Sequence, residues 1–149
     1  MKVVLAVDES SCSEAAVAAV RNWAWPPDTE VHLVSVAEPP RGTSAEVWSA
    51  PALYLEEVLK AEREFRQSLV SKLSDCLAGG AYALKRNVIE GDARSAIVDY
   101  SEKIGADLVV VGSHGRSGLA RLIIGSVAGY VVSHAPCSVM VVKQPRPKK

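Results

Sequence analysis

The segment VVVGSHGRSGLARLIIGSVAG, residues 109–129, runs from a valine strand through a glycine loop into a stretch that opens on Gly125-Ser126 and reads as a helix. An uninterrupted β-branched run is the mark of a parallel strand covered on both faces, so the segment reads as the strand–loop–helix unit of an α/β sheet. Glycine serves bare turns and close approach of backbone to ligand alike. The rest of the chain decides between them.

Working outward, KVVLAVD (2–8) reads as a first strand, and Ser11 with Glu14 as a capping box for a helix carrying Ala16, Ala19, Val20 and Trp23 until WPPD stops it. EVHLVSVA (30–37) is a second strand. The polar, proline-bearing connection 38–51 is longer than a compact α/β unit needs and reads either as a lid or as a plain loop. From 52 to 78, Leu55, Val58, Leu59, Phe65, Leu69, Leu73 and Leu77 follow a helical period that Gly79 and Gly80 end. YALKRNVIEG (82–91) is a third strand, Asp92 an N-cap, and Ile97, Tyr100 and Ile104 the inner stripe of the next helix. DLVVVG (107–112) is the fourth strand, SVAGYVVSHA (126–135) a helix ended by Pro136, and SVMVVK (138–143) the fifth strand. Strands alternating with helices predict a doubly wound α/β domain over residues 1–144, a disordered tail at 145–149, and a ligand site beyond the carboxyl ends of the strands.

Seventeen basic and seventeen acidic residues among 149 cancel, so no global field favours nucleic acid or an anionic membrane. A bound anion therefore needs a local site. The amino-terminal apolar run is too short for a signal-peptide core, and no apolar span approaches transmembrane length, which predicts a cytoplasmic protein without a membrane partner. Cys12, Cys76 and Cys137 are scattered, odd in number and lack metal-knuckle spacing, as expected of reduced thiols.

Asp8 ends the first strand and Gly112 the fourth, so both face one crevice if those strands are neighbours. Residues 112–126 spell Gly-Ser-His-Gly, nine residues, then Gly-Ser, the last pair opening a helix whose unpaired N–H groups favour an anion. Gly112 and Gly115 would let amides approach phosphate oxygens. No Lys stands where a Walker loop needs one, and the Gly-x-Gly turn of a dinucleotide fingerprint is missing. His114 has no carboxylate or Cys at catalytic spacing and reads as a surface imidazole; Arg116 and Arg121 read equally as phosphate clamps or solvated side chains, and Gly118 as a turn. His32 lies within a strand and His134 near a helix end, with no convergent metal-ligand set.

The spacing Gly112, Gly115, Gly125, Ser126 resembles the G-x2-G-x9-G-S/T motif of nucleotide-binding members of the universal stress protein family. The likeness extends through VVLAVDES, GDARSAIVDYSEKIGADLVVVGSHGRSGL and GSVAGYVVSHAPCSVMVV, and is weakest over 38–80. It implies a Rossmann-like three-layer sandwich with a five-stranded parallel sheet in the order 3-2-1-4-5. It also implies Val7 and Asp8 near adenine and ribose, Val36 against the base, and Gly112, Gly115, Gly125, Ser126 and Val127 around the phosphates; Ser113 and Arg116, on the same loop, are further candidate binding residues. Mg2+ would enter only with the nucleotide, and Asp8 is the candidate contact for it in the alternative in which the protein hydrolyses ATP. The apolar fifth strand, expected at a sheet edge, predicts a homodimer through 138–143, as the resemblance also implies. The expected function is a stress-response sensor or regulator that binds ATP, ADP or AMP, binding being favoured over catalysis because no nucleophile or tuned base is evident. A slow ATP hydrolase and a nucleotide-independent dimeric interaction module are the alternatives.

Overall fold

A computed structural model describes residues 1–39, 52–114 and 124–144. Along these residues the elements are β1 (Lys2–Ala6), α1 (Ser11–Asn22), β2 (Glu30–Ala37), α2 (Ala52–Leu77), β3 (Ala83–Glu90), α3 (Ala93–Ile104), β4 (Leu108–Gly112), α4 (Ser126–His134) and β5 (Ser138–Val142). The strands form one parallel sheet in the order β3-β2-β1-β4-β5, as the resemblance implies. Central β1 pairs Val3 with Val31 on one side and with Leu108 on the other.

The period-two pleat of β1 divides the core. Val3, Leu5 and Val7 pack with Val17 and Val20 of α1 and Val70, Leu73 and Leu77 of α2. Val4 and Ala6 pack with Val34, Val36, Ile97 of α3 and Val131 of α4 on the other face. Val3, Val4, Leu5, Val109 and Val110 have no exposed surface at all, and each such side chain contributes roughly 1.5–3 kcal/mol of burial. This two-faced burial explains why β1, β2 and β4 read as continuous apolar runs. Edge strands β3 and β5 are only half-buried.

The helix ends follow local chemistry. Asp92 caps α3 by accepting from the Arg94 amide at 3.0 Å. Gly105 closes it with φ 62°, a left-handed geometry that glycine adopts without strain. Three expectations need correction. The first helix is capped by Ser10 rather than Ser11, the Ser13 amide donating to Ser10 Oγ at 3.2 Å, because the Asp8 carboxylate holds Ser10 in the capping turn. Trp23 lies beyond the end of α1, exposed against Trp25, and Val17 takes the inner position. On α2, Leu73 and Leu77 are buried as expected, but Phe65 is exposed and the neighbouring Arg66 is buried in its place. The expected lid or loop at 38–51, save Glu38 and Pro39, and the tail 145–149 lie outside the described residues.

His32 of β2 is buried between charged and polar neighbours. Its Nδ1 lies 2.8 Å from the Tyr100 hydroxyl of α3 and its Nε2 3.4 Å from Glu30, which also accepts from Lys85 Nζ at 2.7 Å. The neutral tautomer that suits both neighbours accepts from Tyr100 at Nδ1 and carries its proton on Nε2. Burial pushes the imidazole pKa down, outweighing the opposing pull of Glu30, and Lys85 adds to the depression. The unfolded chain therefore binds a proton at His32 more readily than the native one, and stability is lost as pH falls through the ordinary imidazole value of about 6.5 toward the lower native value. Urea midpoints measured from about pH 7 to about pH 5.5 should fall for the unmodified protein and fall less for His32→Gln; parallel slopes would refute the assignment.

Candidate functional site

A cavity of about 250 Å³ opens at the carboxyl ends of the central strands. Its floor is the end of the sheet, Ala6, Val7, Val34, Val36, Val111 and Gly112; α1 contributes Ser13, α2 Arg66, α3 Ala93 and Ile97, and α4 Ser126, Val127 and Ala128. Such a crevice arises where chains leaving adjacent parallel strands turn to opposite faces, here α1 after β1 and α4 after β4.

The β1–α1 turn is tied down by Asp8. Its Oδ1 accepts from the Ser10 amide at 3.0 Å, from the Ser10 hydroxyl, and from Ser13 Oγ at 2.7 Å. Ser13 Oγ in turn accepts from the Asp8 amide at 2.9 Å. Ser10 Oγ also approaches the His114 carbonyl at 3.3 Å, linking this turn to the end of β4.

At the opposite wall, Gly125 caps α4 without any side-chain hydrogen bond, while its own amide donates to the Ser113 carbonyl at 2.8 Å. The first amides of α4, beginning with Ser126 and Val127, therefore head into the cavity region without intrahelical acceptors. Together with the helix dipole they make this wall of the pocket attractive to an anion. Glu38, just beyond β2, lines the base of the cavity and accepts from the Ala93 amide at 3.1 Å.

Arg66 brings charge from α2. The residue is 2% exposed, and its Nε and Nη2 each reach Glu62 Oε1 at 2.8 Å while Nη1 reaches Glu9 at 2.7 Å. Burial disfavours its charged form, but the bonds it donates to Glu62 and Glu9 outweigh that and hold its pKa above the ordinary value.

Of the residues expected at a site, Val7, Asp8, Val36, Gly112, Gly125, Ser126 and Val127 all line this cavity. Ser113 is buried, and its backbone ties β5 to α4 by donating to Val142 and accepting from Gly125. His114, expected at the surface, is half-buried at the cavity wall with Nδ1 3.1 Å from Ser113 Oγ. Gly115, Arg116, Gly118 and Arg121 lie outside the described residues. His134, on the last turn of α4, stacks on Tyr130 with ring centroids 3.9 Å apart. Arg66 and Glu38 were not anticipated: an arginine amid the helical charges of EEVLKAERE and its sequel carries no signal of burial. Among the described residues no group of three or more His, Cys, Asp or Glu is placed to hold a metal ion, and no helix is long and apolar enough to cross a membrane.

The model of the universal stress protein family matches residues 1–143. A universal stress protein of Methanocaldococcus jannaschii is 34% identical over 148 residues, 97% of this chain and 83% of the relative. Among solved structures, the universal stress protein UspA of Lactobacillus plantarum superposes with TM-score 0.80 at 27% identity, covering 95% of this chain and 97% of its own. An Arabidopsis thaliana family protein with AMP bound shares the fold at TM-score 0.63 and 18% identity, covering 97% of this chain and 92% of its own. Two further solved family members carry cAMP and dAMP.

One position in the cavity floor is sterically closed. A Cβ on Gly112 would stand 2.9 Å from both the carbonyl carbon and Cβ of Cys12, and 3.1 Å from the Cys12 carbonyl oxygen. The obstructing atoms include backbone, so Gly112→Ala must push α1 away from β4. Unfolding in urea should show a loss of about 1–3 kcal/mol for Gly112→Ala, and Cys12→Ala in the same background should leave most of that loss in place.

Proposed function

Because the chain belongs to the universal stress protein family, we propose that its cavity binds an adenine nucleotide and that the protein acts as a nucleotide-dependent sensor or regulator in the stress response. The observation that carries the reading is the polarity of the cavity, with carboxylates and an apolar wall at one end and an uncapped helix amino terminus at the other. The base packs on Val36 and Val7. Asp8, with Oδ1 committed to Ser10 and Ser13, accepts a ribose hydroxyl through Oδ2. The phosphates meet the amides of Ser126 and Val127 and the Ser126 hydroxyl. Gly112 lets the chain pass close beneath them, and Gly115 and Arg116 enter this reading from the sequence motif alone. The AMP, cAMP and dAMP carried by solved relatives support the adenine class, and ATP, ADP and AMP are the ligands proposed here.

The side chains around the cavity do not fit a resident metal. Asp8 spends one oxygen on the turn, and no cluster of ligands joins it among the described residues. Mg2+ belongs to this reading as an ion carried on the nucleotide phosphates. A cytoplasmic location fits scattered thiols such as Cys12 and Cys76, which form no disulfide. The outer edge of β5, with Val139, Met140, Val141 and Val142 half-buried, is proposed to pair with its own copy about a two-fold axis. Sedimentation at micromolar concentration should give a dimer, and Val141→Lys should shift it toward monomer; a monomeric unmodified protein would refute the pairing.

Nucleotide binding is tested at the amino terminus of α4. Gly125 has φ −58° and ψ 156°, a conformation that tolerates a following proline, and proline is accepted at the first helical position. Ser126→Pro therefore removes both the amide hydrogen and the hydroxyl with the helix intact, whereas Ser126→Ala removes the hydroxyl alone. Stripped protein given ADP at about 100 times its Kd should gain roughly 2.7 kcal/mol, a rise of about 5–11 °C in Tm. Ser126→Ala should lose part of that rise and Ser126→Pro most of it, with ligand-free Tm little changed. No rise with ATP, ADP or AMP at millimolar concentration would overturn the nucleotide reading.

A further inference from the structure

The geometry points to Arg66 as a nucleoside-binding residue, a polar contact delivered into the cavity from α2. It rests on the adenine-nucleotide reading and extends it to a helix that the glycine motif does not touch. Arg66 lines the cavity together with Val7, Asp8, Val36 and Glu38. At 2% exposure its guanidinium is withdrawn from solvent, and a charge so buried needs partners on every side.

The partners on the protein side are fixed. Glu62 engages Nε and Nη2, and Glu9 engages Nη1. A guanidinium carries five N–H hydrogens in a rigid plane, so these bonds orient the group and leave one hydrogen on Nη1 and one on Nη2 without a partner among the described residues. Two donors in one plane match neighbouring acceptors, and a purine nucleoside offers ring nitrogens and ribose oxygens of that kind.

Position decides which part of a nucleotide Arg66 meets. Glu9 and Glu62 both engage the guanidinium, and Val7, Asp8, Val36 and Glu38 share its side of the cavity. Neutral acceptors there gain from the two donors. The anion-favouring amides stand on α4, which packs on the other face of the sheet from α2. Arg66 is therefore assigned to the base and ribose, and its contribution is independent of the number of phosphates.

Titration calorimetry with adenosine, AMP and ADP on unmodified protein, Arg66→Gln and Arg66→Lys tests this. Arg66→Gln should weaken all three ligands by the same factor, about tenfold or more for loss of a charge-assisted hydrogen bond. Arg66→Lys keeps the charge but not the fork, so it should recover part of the ligand-free Tm that Arg66→Gln loses without recovering affinity. A merely structural arginine would lower Tm and leave affinity, measured well below Tm, unchanged. In the unmodified protein, the Arg66 side-chain NMR resonance should shift on adding adenosine alone, a readout that needs no variant. Unchanged affinities in Arg66→Lys, a loss that grows with phosphate count, or an unmoved resonance in protein that binds adenosine would each overturn the assignment. Failure of the unmodified protein to bind any of the three ligands would instead overturn the nucleotide reading on which it rests.

Discussion

The parallel pairing of β1 with β4 is the constraint on which the rest of the molecule hangs. It places the end of the first strand beside the end of the fourth, and the chain beyond each turns to a different face of the sheet. A gap at that point is unavoidable, because no helix covers the strand ends where the two paths part. Everything that shapes the cavity answers to that gap: Asp8 tying the first turn, Ser113 tying the fourth strand to the last helix, and Gly112 lacking the atom that would hold the two sides apart.

The pocket is electrically asymmetric within an electrically neutral chain. Its anion-attracting end is made of backbone amides, and its carboxylates, Asp8 and Glu38, come from the turns that follow β1 and β2. A polyanion held by amides alone leaves a small global signature, which is why overall charge says nothing about such a ligand. The buried arginine, held by Glu9 and Glu62, adds directional donors on the side of α2.

Much of this was legible in the residues. The valine and leucine runs of β1, β2 and β4 announced strands buried on both faces, and Asp92 marked the start of α3 where it indeed starts. Asp8, Gly112, Gly125 and Ser126 could be placed on one rim because strand ends are easy to locate when the runs are long. What escaped reading depended on partners far away in the chain. Arg66 is buried because Glu9 lies across from it, 57 residues earlier, and a helical pattern assigns any arginine to the solvent face. Ser10 displaced Ser11 as the cap because of a carboxylate two residues before it, a local competition that spacing rules do not resolve. Trp23 fell outside the core because α1 stops at Asn22, one residue short of carrying the ring inward.

The β1–β4 pairing also bears on how the chain reaches its native state. Lys2 donates its amide to the carboxylate of Asp107, 105 residues later, and the register of the central pair sets in only once that distant segment is at hand. Such closures are costly in chain entropy and slow. On a ribosome, β1 would emerge with one flank able to find β2 and the other, Val3 to Ala6, left unpaired until β4 is synthesised. The amino-terminal half is thus an apolar sheet with an open seam during synthesis, and that interval is when the chain is most exposed to wrong partners.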